Sequence, residues 1–143
     1  MIIKTFLEKN QILLISRIIV GGLFIYSSLD KIIDPLSFAT IVHNYRITPP
    51  HMINFIAVVI PWIEFSAGIF LVFGIRLKAS ALVLNLLLVF FTVVLVITAI
   101  RGINISCGCF STSTAVKSNL VLRIIEDIGI LLLGLHVLIF SKK

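Results

Sequence analysis

Apolar residues run in four long windows along this chain, approximately 12–29, 52–73, 79–100 and 119–140, and the segments between them are too short to form a soluble domain. A helix needs about 20 mainly apolar residues to cross a hydrocarbon layer about 30 Å thick, and each window approaches or meets that length. In lipid every backbone N–H and C=O must be satisfied internally, so an isolated spanning segment folds as a helix. The pattern predicts an all-α integral membrane protein, a four-helix bundle forming a single transmembrane domain over residues 1–143. Composition agrees, with 59% hydrophobic and 13% charged residues, against about 25% charged in soluble domains. The first window has no small-residue cleavage site and is followed by spans of equal strength, so it reads as a retained helix and not a secretory leader.

The formal net charge of +6 is spread among loops and never gathered on one amphipathic face, which argues against a nucleic-acid partner and for membrane topology. A tight turn, Gly74-Ile75-Arg76, joins the second and third windows, while two longer polar segments share the opposite side. Lys4, Lys9, Arg76, Lys78, Lys142 and Lys143 lie on the side of the termini. Lys31, Arg46, Arg101 and Lys117 lie on the other, with Arg123 just inside the last helix. The excess predicts an inner-membrane, multi-pass protein with both termini cytoplasmic and the long loops extracytoplasmic. In the first long loop, Asp34-Pro35 reads as an N-cap followed by proline at the first helical position. Phe38, Ile41, Val42 and Tyr45 then form one apolar face, on a segment too short to span. A short interfacial helix is expected there, ended by Thr48-Pro49-Pro50. Trp62 and the tyrosines have the character of interface anchors or of packing residues.

Cys107 and Cys109, separated by Gly108, are the only thiols in the chain. They fall in a loop expected to face an oxidising compartment, where disulfides form and persist. A ring closed between residues i and i+2 strains the bond and makes it easier to reduce, which suits exchange. So small a loop removes little unfolded-state entropy, so a stabilising staple has weak physical support. Gly108 permits the backbone angles a tight ring demands, and Arg101 favours a nearby thiolate. The same sulfurs are soft ligands for copper or zinc, with His43 or His51 completing the set, although common zinc motifs space their cysteines more widely. Redox exchange, metal binding and an incidental pair all stay open at this level.

Ionisable groups inside predicted spans form a second constellation, because each costs at least about 2.5 kcal/mol in hydrocarbon. Arg17 and Glu64 are expected at depths within about 5 Å of one another, from the ~1.5 Å rise per residue, so a pair locking the first two helices is feasible. Pro61 is expected to free the carbonyl of Ala57 and open a polar notch beside Glu64, large enough for a small redox carrier. Arg123 stands three and four residues before Glu126 and Asp127, on one helical face. This cluster reads as a local ion pair or as a proton-transfer group below the cysteine loop. Asn85 and His136 read as packed residues. Gly21-Gly22 and Ser27-Ser28 permit close helix contact.

The order of these features resembles the DoxX-like membrane proteins, in particular the MauE branch. The likeness runs through Arg17, Gly21-Gly22, Lys31, Asp34-Pro35, Tyr45, Pro61-Trp62-Ile63-Glu64, Gly68, Gly74, Arg101-Gly102 and Cys107-Gly108-Cys109-Phe110. Where the family pattern continues with glycine, this chain has Ser111. The resemblance implies a four-helix membrane protein of thiol redox chemistry, with Cys107 and Cys109 as the reacting pair. It also implies a role in disulfide formation in an exported protein partner, while other relatives are linked to quinone-dependent sulfur oxidation; a quinone as electron acceptor is then expected at the intramembrane polar positions read above, Arg17, Pro61 and Glu64.

Overall fold

The computed structural model describes residues 2–102 and 120–141, and these are all-helical apart from turns. In chain order the elements are α1 (Ile2–Ile33), α2 (Pro35–Asn44), α3 (Pro50–Phe73), α4 (Leu77–Ile100) and α5 (Leu120–Phe140). One apolar cluster draws on all four long helices: Val20 and Phe24 of α1, Ala67 and Leu71 of α3, Ala81, Leu84 and Leu88 of α4, and Val137 of α5.

Two small-residue contacts set the helix registers. A Cβ built on Gly21 would lie 3.0 Å from the Gly68 carbonyl oxygen, and one built on Gly68 would lie 3.1 Å from the Gly21 carbonyl oxygen. The backbones of α1 and α3 therefore touch there, as small residues allow between membrane helices. On the other side of the molecule, Gly134 of α5 receives the side chain of Asn85, and Asp127 of α5 meets Thr92 of α4. As one number rises the other falls, so α4 and α5 are antiparallel. Ile100 and Leu120 thus lie at the same end of that pair.

The α3–α4 connection is built as its residues dictate. Gly74 adopts φ +79, the left-handed conformation that costs glycine least. The Ile75 amide donates to the Phe70 carbonyl at 2.8 Å, and the Gly74 amide donates to Leu71 at 3.3 Å, closing α3 in a Schellman-type cap. At the opposite end, Asp34 caps α2, its carboxylate accepting from the Ser37 amide at 3.1 Å, with Pro35 in the first turn. These Ser37 hydrogen bonds hold the exposed Asp34 carboxyl below its ordinary value of 3.8. The apolar face of α2 folds onto α3 and α4: Phe38 and Val42 pack with Ile53, Ala57, Phe91 and Leu95, and Ile41 and Tyr45 pack with Val94.

Among the described residues, three helices are long and apolar enough to cross a membrane: Asn10–Ile33, Pro50–Phe73 and Leu77–Ile100. Only 33% of each apolar window is buried inside the protein, and side chains such as Ile15, Phe70, Phe90 and Ile97 face outward. Apolar surface of this extent belongs in lipid. α5 has 21 residues, but it carries Arg123, Glu126 and Asp127 in its first two turns. It is therefore not among the three helices that length and composition mark as spans. The helices also overrun the apolar windows. α1 continues past Leu29 to Ile33, which brings Lys31 into its last turn.

Candidate functional site

The most demanding feature of the interior is an ion pair. Lys31 Nζ lies 2.9 Å from Glu64 Oε2, with the two side chains 2% and 1% exposed. The ammonium also sits 5.2 Å from the ring centre of Phe38 and 5.1 Å from that of Phe91, within cation–π range. α1 supplies the cation, α3 the carboxylate, and α2 and α4 one ring each, so four elements converge on a single charge.

Helix geometry explains the pairing. Side chains on a helix lean toward its N-terminus, and α1 and α3 run in opposite directions. Lys31 therefore leans back along α1 while Glu64 leans the other way, so each side chain reaches toward the other. The same rule separates Arg17 from Glu64, and the expected Arg17–Glu64 pair is not formed. With Gly21 against Gly68, Arg17 lies level with the end of α3, about 12 Å along the axis from Glu64 at ~1.5 Å per residue. It leans further away. Its Nε donates to the Leu71 carbonyl at 3.1 Å, beside the Gly74 amide, and its Nη2 donates to the Val72 carbonyl at 3.1 Å, placing a cation at the negative end of the α3 dipole. A first helix begun at residue 12, with its ends level with those of α3, puts Arg17 too near Glu64; the helix instead begins at Ile2 and overruns Leu29.

Pro61 is buried inside an uninterrupted α3. Lys31 covers Glu64, so Arg17, Pro61 and Glu64 do not converge on one site.

In α5, toward the end of the α4–α5 pair where Ile100 and Leu120 lie, is a second buried carboxylate. Asp127 is 1% exposed and contacts the Thr92 hydroxyl at 3.4 Å. Its neighbour on the sequence behaves differently: Arg123 pairs with Glu126 at 3.0 Å on the exposed side of α5. The expected cluster thus divides into an outward ion pair and an inward acid. Tyr45, the C-cap of α2, is buried near Asp127. Burial, with the Asp127 charge second, pushes its phenol up to about 12. Asp127 is also within electrostatic reach of Lys31.

At the other end, the Asn85 amide nitrogen and His136 Nδ1 are buried without a hydrogen-bond partner among the described residues, and His136 stacks on Phe140 with ring centres 4.7 Å apart. Gly21 is in close contact, whereas Gly22 faces open space. Arg101 is the exposed C-cap of α4. His43 and His51 are exposed, and no group of three or more His, Cys, Asp or Glu able to hold a metal ion occurs among the described residues. Cys107, Gly108 and Cys109 lie outside the described residues.

Comparison with known proteins bears on this arrangement directly. Residues 9–140 match the family model of the methylamine utilisation protein MauE. The chain belongs to the MauE family. It is 31% identical over 106 residues to the methylamine utilization protein MauE of Paracoccus denitrificans, covering 73% of this chain and 57% of that protein. It is 26% identical over 110 residues to MauE of Methylorubrum extorquens, covering 76% of this chain and 54% of that protein. This MauE-family chain thus spans about half the length of the curated relatives it matches. No solved structure matches it.

The residue that sequence reasoning misplaced in this MauE-family chain is Lys31, counted among the loop charges. The absence of glycine and proline from Leu23 to Ile33, with Ile32 and Ile33 following the lysine, is the signal that α1 continues and carries the lysine inside.

Proposed function

We propose that this chain is a four-helix integral protein of the inner (cytoplasmic) membrane, with both termini cytoplasmic, whose Cys107 and Cys109 exchange electrons with thiols of an extracytoplasmic protein. The observation that carries the reading is the Cys107-Gly108-Cys109 sequence itself: the only two thiols of the chain, one residue apart, in the segment joining α4 to α5. α5 is the fourth span, its ionisable residues either paired or turned inward. α2 lies in the outer interface plane.

In the reaction, a thiolate of the partner attacks one sulfur of the oxidised pair, the Cys107–Cys109 bond breaks and a mixed disulfide forms. A second partner thiolate resolves it. The partner leaves with a new disulfide, and Cys107 and Cys109 are left as thiols. Restoring the disulfide removes two electrons and two protons from the pair, for which a membrane quinone would be a chemically suitable acceptor. Membership of the MauE family supports this reading by attaching the chain to methylamine utilisation, and the DoxX-like resemblance supports a redox role. Arg101 and the Arg123–Glu126 pair flank the reacting segment in sequence and bear on its charge, while Gly108 gives the backbone freedom that a tight ring demands.

The test is alkylation of free thiols in membranes, before and after reduction and again after adding a quinone. The reading expects Cys107 and Cys109 to be protected until reduced and protected again by quinone. A pair that never forms a disulfide, or one that neither substrate thiols nor quinol can reduce, overturns it. Full function in a Cys107→Ser, Cys109→Ser variant would make the chain a non-enzymatic scaffold for a redox partner. Copper or zinc copurifying with the reduced protein would make it a metal carrier.

A further inference from the structure

The net charge of the chain is one-sided, and the fold gathers the excess at one end of the bundle. Gly74 in the α3–α4 turn packs against the Arg17 guanidinium of α1. α5, antiparallel to α4 with Gly134 against Asn85, returns toward that turn. The first part of α1, the α3–α4 turn, the start of α4 and the end of α5 therefore share one end. To it belong Lys4, Lys9, Arg17, Arg76 and Lys78, with Lys142 and Lys143 following α5 in sequence, against the single acid Glu8. The five cations and five acids of the remainder cancel, so the whole formal charge of +6 belongs to this end.

Three of these cations stand beside outward apolar side chains. Arg17 is level with the last turn of α3, and its side chain leans toward the N-terminus of α1. Its contacts with the Leu71 and Val72 carbonyls, both at 3.1 Å, fix the guanidinium beside the turn. They use two of its five N–H donors, and a phosphate oxygen suits the others. Arg76 is two residues beyond Gly74, within about 7 Å along the chain, and Lys78 is in the first turn of α4. Both are exposed. Glu64 and Glu126 are held elsewhere, by Lys31 at 2.9 Å and by Arg123 at 3.0 Å. The same end exposes Ile18, Phe70, Phe73 and Ile75. Cations beside an apolar collar fit an amphiphile, which sets a negative headgroup on the cations and its acyl chains on the collar. A soluble anion leaves the collar uncovered.

We propose that the end of the bundle bearing the α3–α4 turn is a docking surface for an anionic phospholipid, whose headgroup phosphate is held by Arg17, Arg76 and Lys78. This is a property of the membrane contact and does not depend on the thiol reading. Each Lys or Arg near the headgroup strengthens the attraction about fivefold. At the opposite end, where cations and acids balance, no such preference arises.

The experiment places the full chain in lipid nanodiscs made from equal amounts of phosphatidylglycerol and phosphatidylcholine, and counts the lipids that stay bound by native mass spectrometry. The parent should retain phosphatidylglycerol about 100-fold over phosphatidylcholine, and the Arg76→Gln, Lys78→Gln variant only about fivefold, from the loss of two cations. Both substitutions are at exposed side chains and leave the Arg17 contacts with α3 in place. Arg76→Lys, which keeps the charge, should match the parent, and so should Arg46→Gln at the opposite end. Raising the ionic strength should weaken the preference, whereas inorganic phosphate at matched ionic strength should not displace the lipid. Equal retention of the two lipids by the parent overturns the proposal. So does a preference that survives in Arg76→Gln, Lys78→Gln, or one that falls as far in Arg46→Gln. Displacement by inorganic phosphate makes this a site for a free anion and overturns the lipid as its occupant.

Discussion

Lys31 and Glu64 show how a residue that looks peripheral in sequence becomes the anchor of the interior. Truncating one partner leaves the other charge buried and uncompensated, so Glu64→Ala is expected to destabilise the protein by about 3–5 kcal/mol. A Lys31→Met, Glu64→Met double variant should recover most of that loss, because it removes both desolvation costs. Reversible unfolding in detergent checks both, and a double variant as unstable as Glu64→Ala would show that the pair contributes more than charge neutralisation. Arg17→Ala removes two charge-assisted hydrogen bonds to Leu71 and Val72 and is expected to cost about 1.5–3 kcal/mol. The same measurement reads it. Glu64 and Arg17 were legible as charges that need partners, because hydrocarbon penalises them wherever they stand. Their actual partners were not legible. Those depend on the register set by Gly21 against Gly68 and on the direction in which side chains lean, neither of which a linear sequence displays.

At the scale of elements, the short helix α2 was legible from Asp34-Pro35 and from the spacing of Phe38, Ile41, Val42 and Tyr45, and the structure buries all four. What the spacing could not supply is the surface that receives that face, because it is formed by α3 and α4 from distant parts of the chain. The cap gives a pH dependence with a definite sign. The folded carboxyl of Asp34 titrates below 3.8, so its support for α2 is complete at neutral pH and is lost as the pH falls through the folded value. Hydrogen exchange should show the first-turn amides of α2 opening in acid, and Asp34→Ala should open them already at neutral pH. Unchanged protection of the Ser37 amide in that variant would contradict the cap. A second prediction concerns α1 and α3. Gly68→Val places bulk against the Gly21 carbonyl and should cost about 1–3 kcal/mol through overpacking. Gly22→Val, facing open space, should be tolerated.

Over the whole molecule, the long apolar windows announced helices, and three of them are strong spans by length and composition. α5 is less plain because its first two turns carry Arg123, Glu126 and Asp127. Only the folded arrangement shows one ion pair turned outward and one acid turned in. A topology with both termini cytoplasmic predicts that, after reduction, a membrane-impermeant thiol reagent labels Cys107 and Cys109 from outside intact cells. A single cysteine introduced as Arg76→Cys in a Cys107→Ser, Cys109→Ser background should be labelled only after permeabilisation. The proposed exchange of electrons between the cysteine pair and an exported protein is tested most directly by trapping a mixed disulfide. In Cys107→Ser or Cys109→Ser membranes, the cysteine left without its resolving neighbour should hold an extracytoplasmic thiol protein in a covalent complex that a reductant releases. Absence of any such complex from both variants, with the pair of the parent protein fully reduced in its membrane, would contradict it.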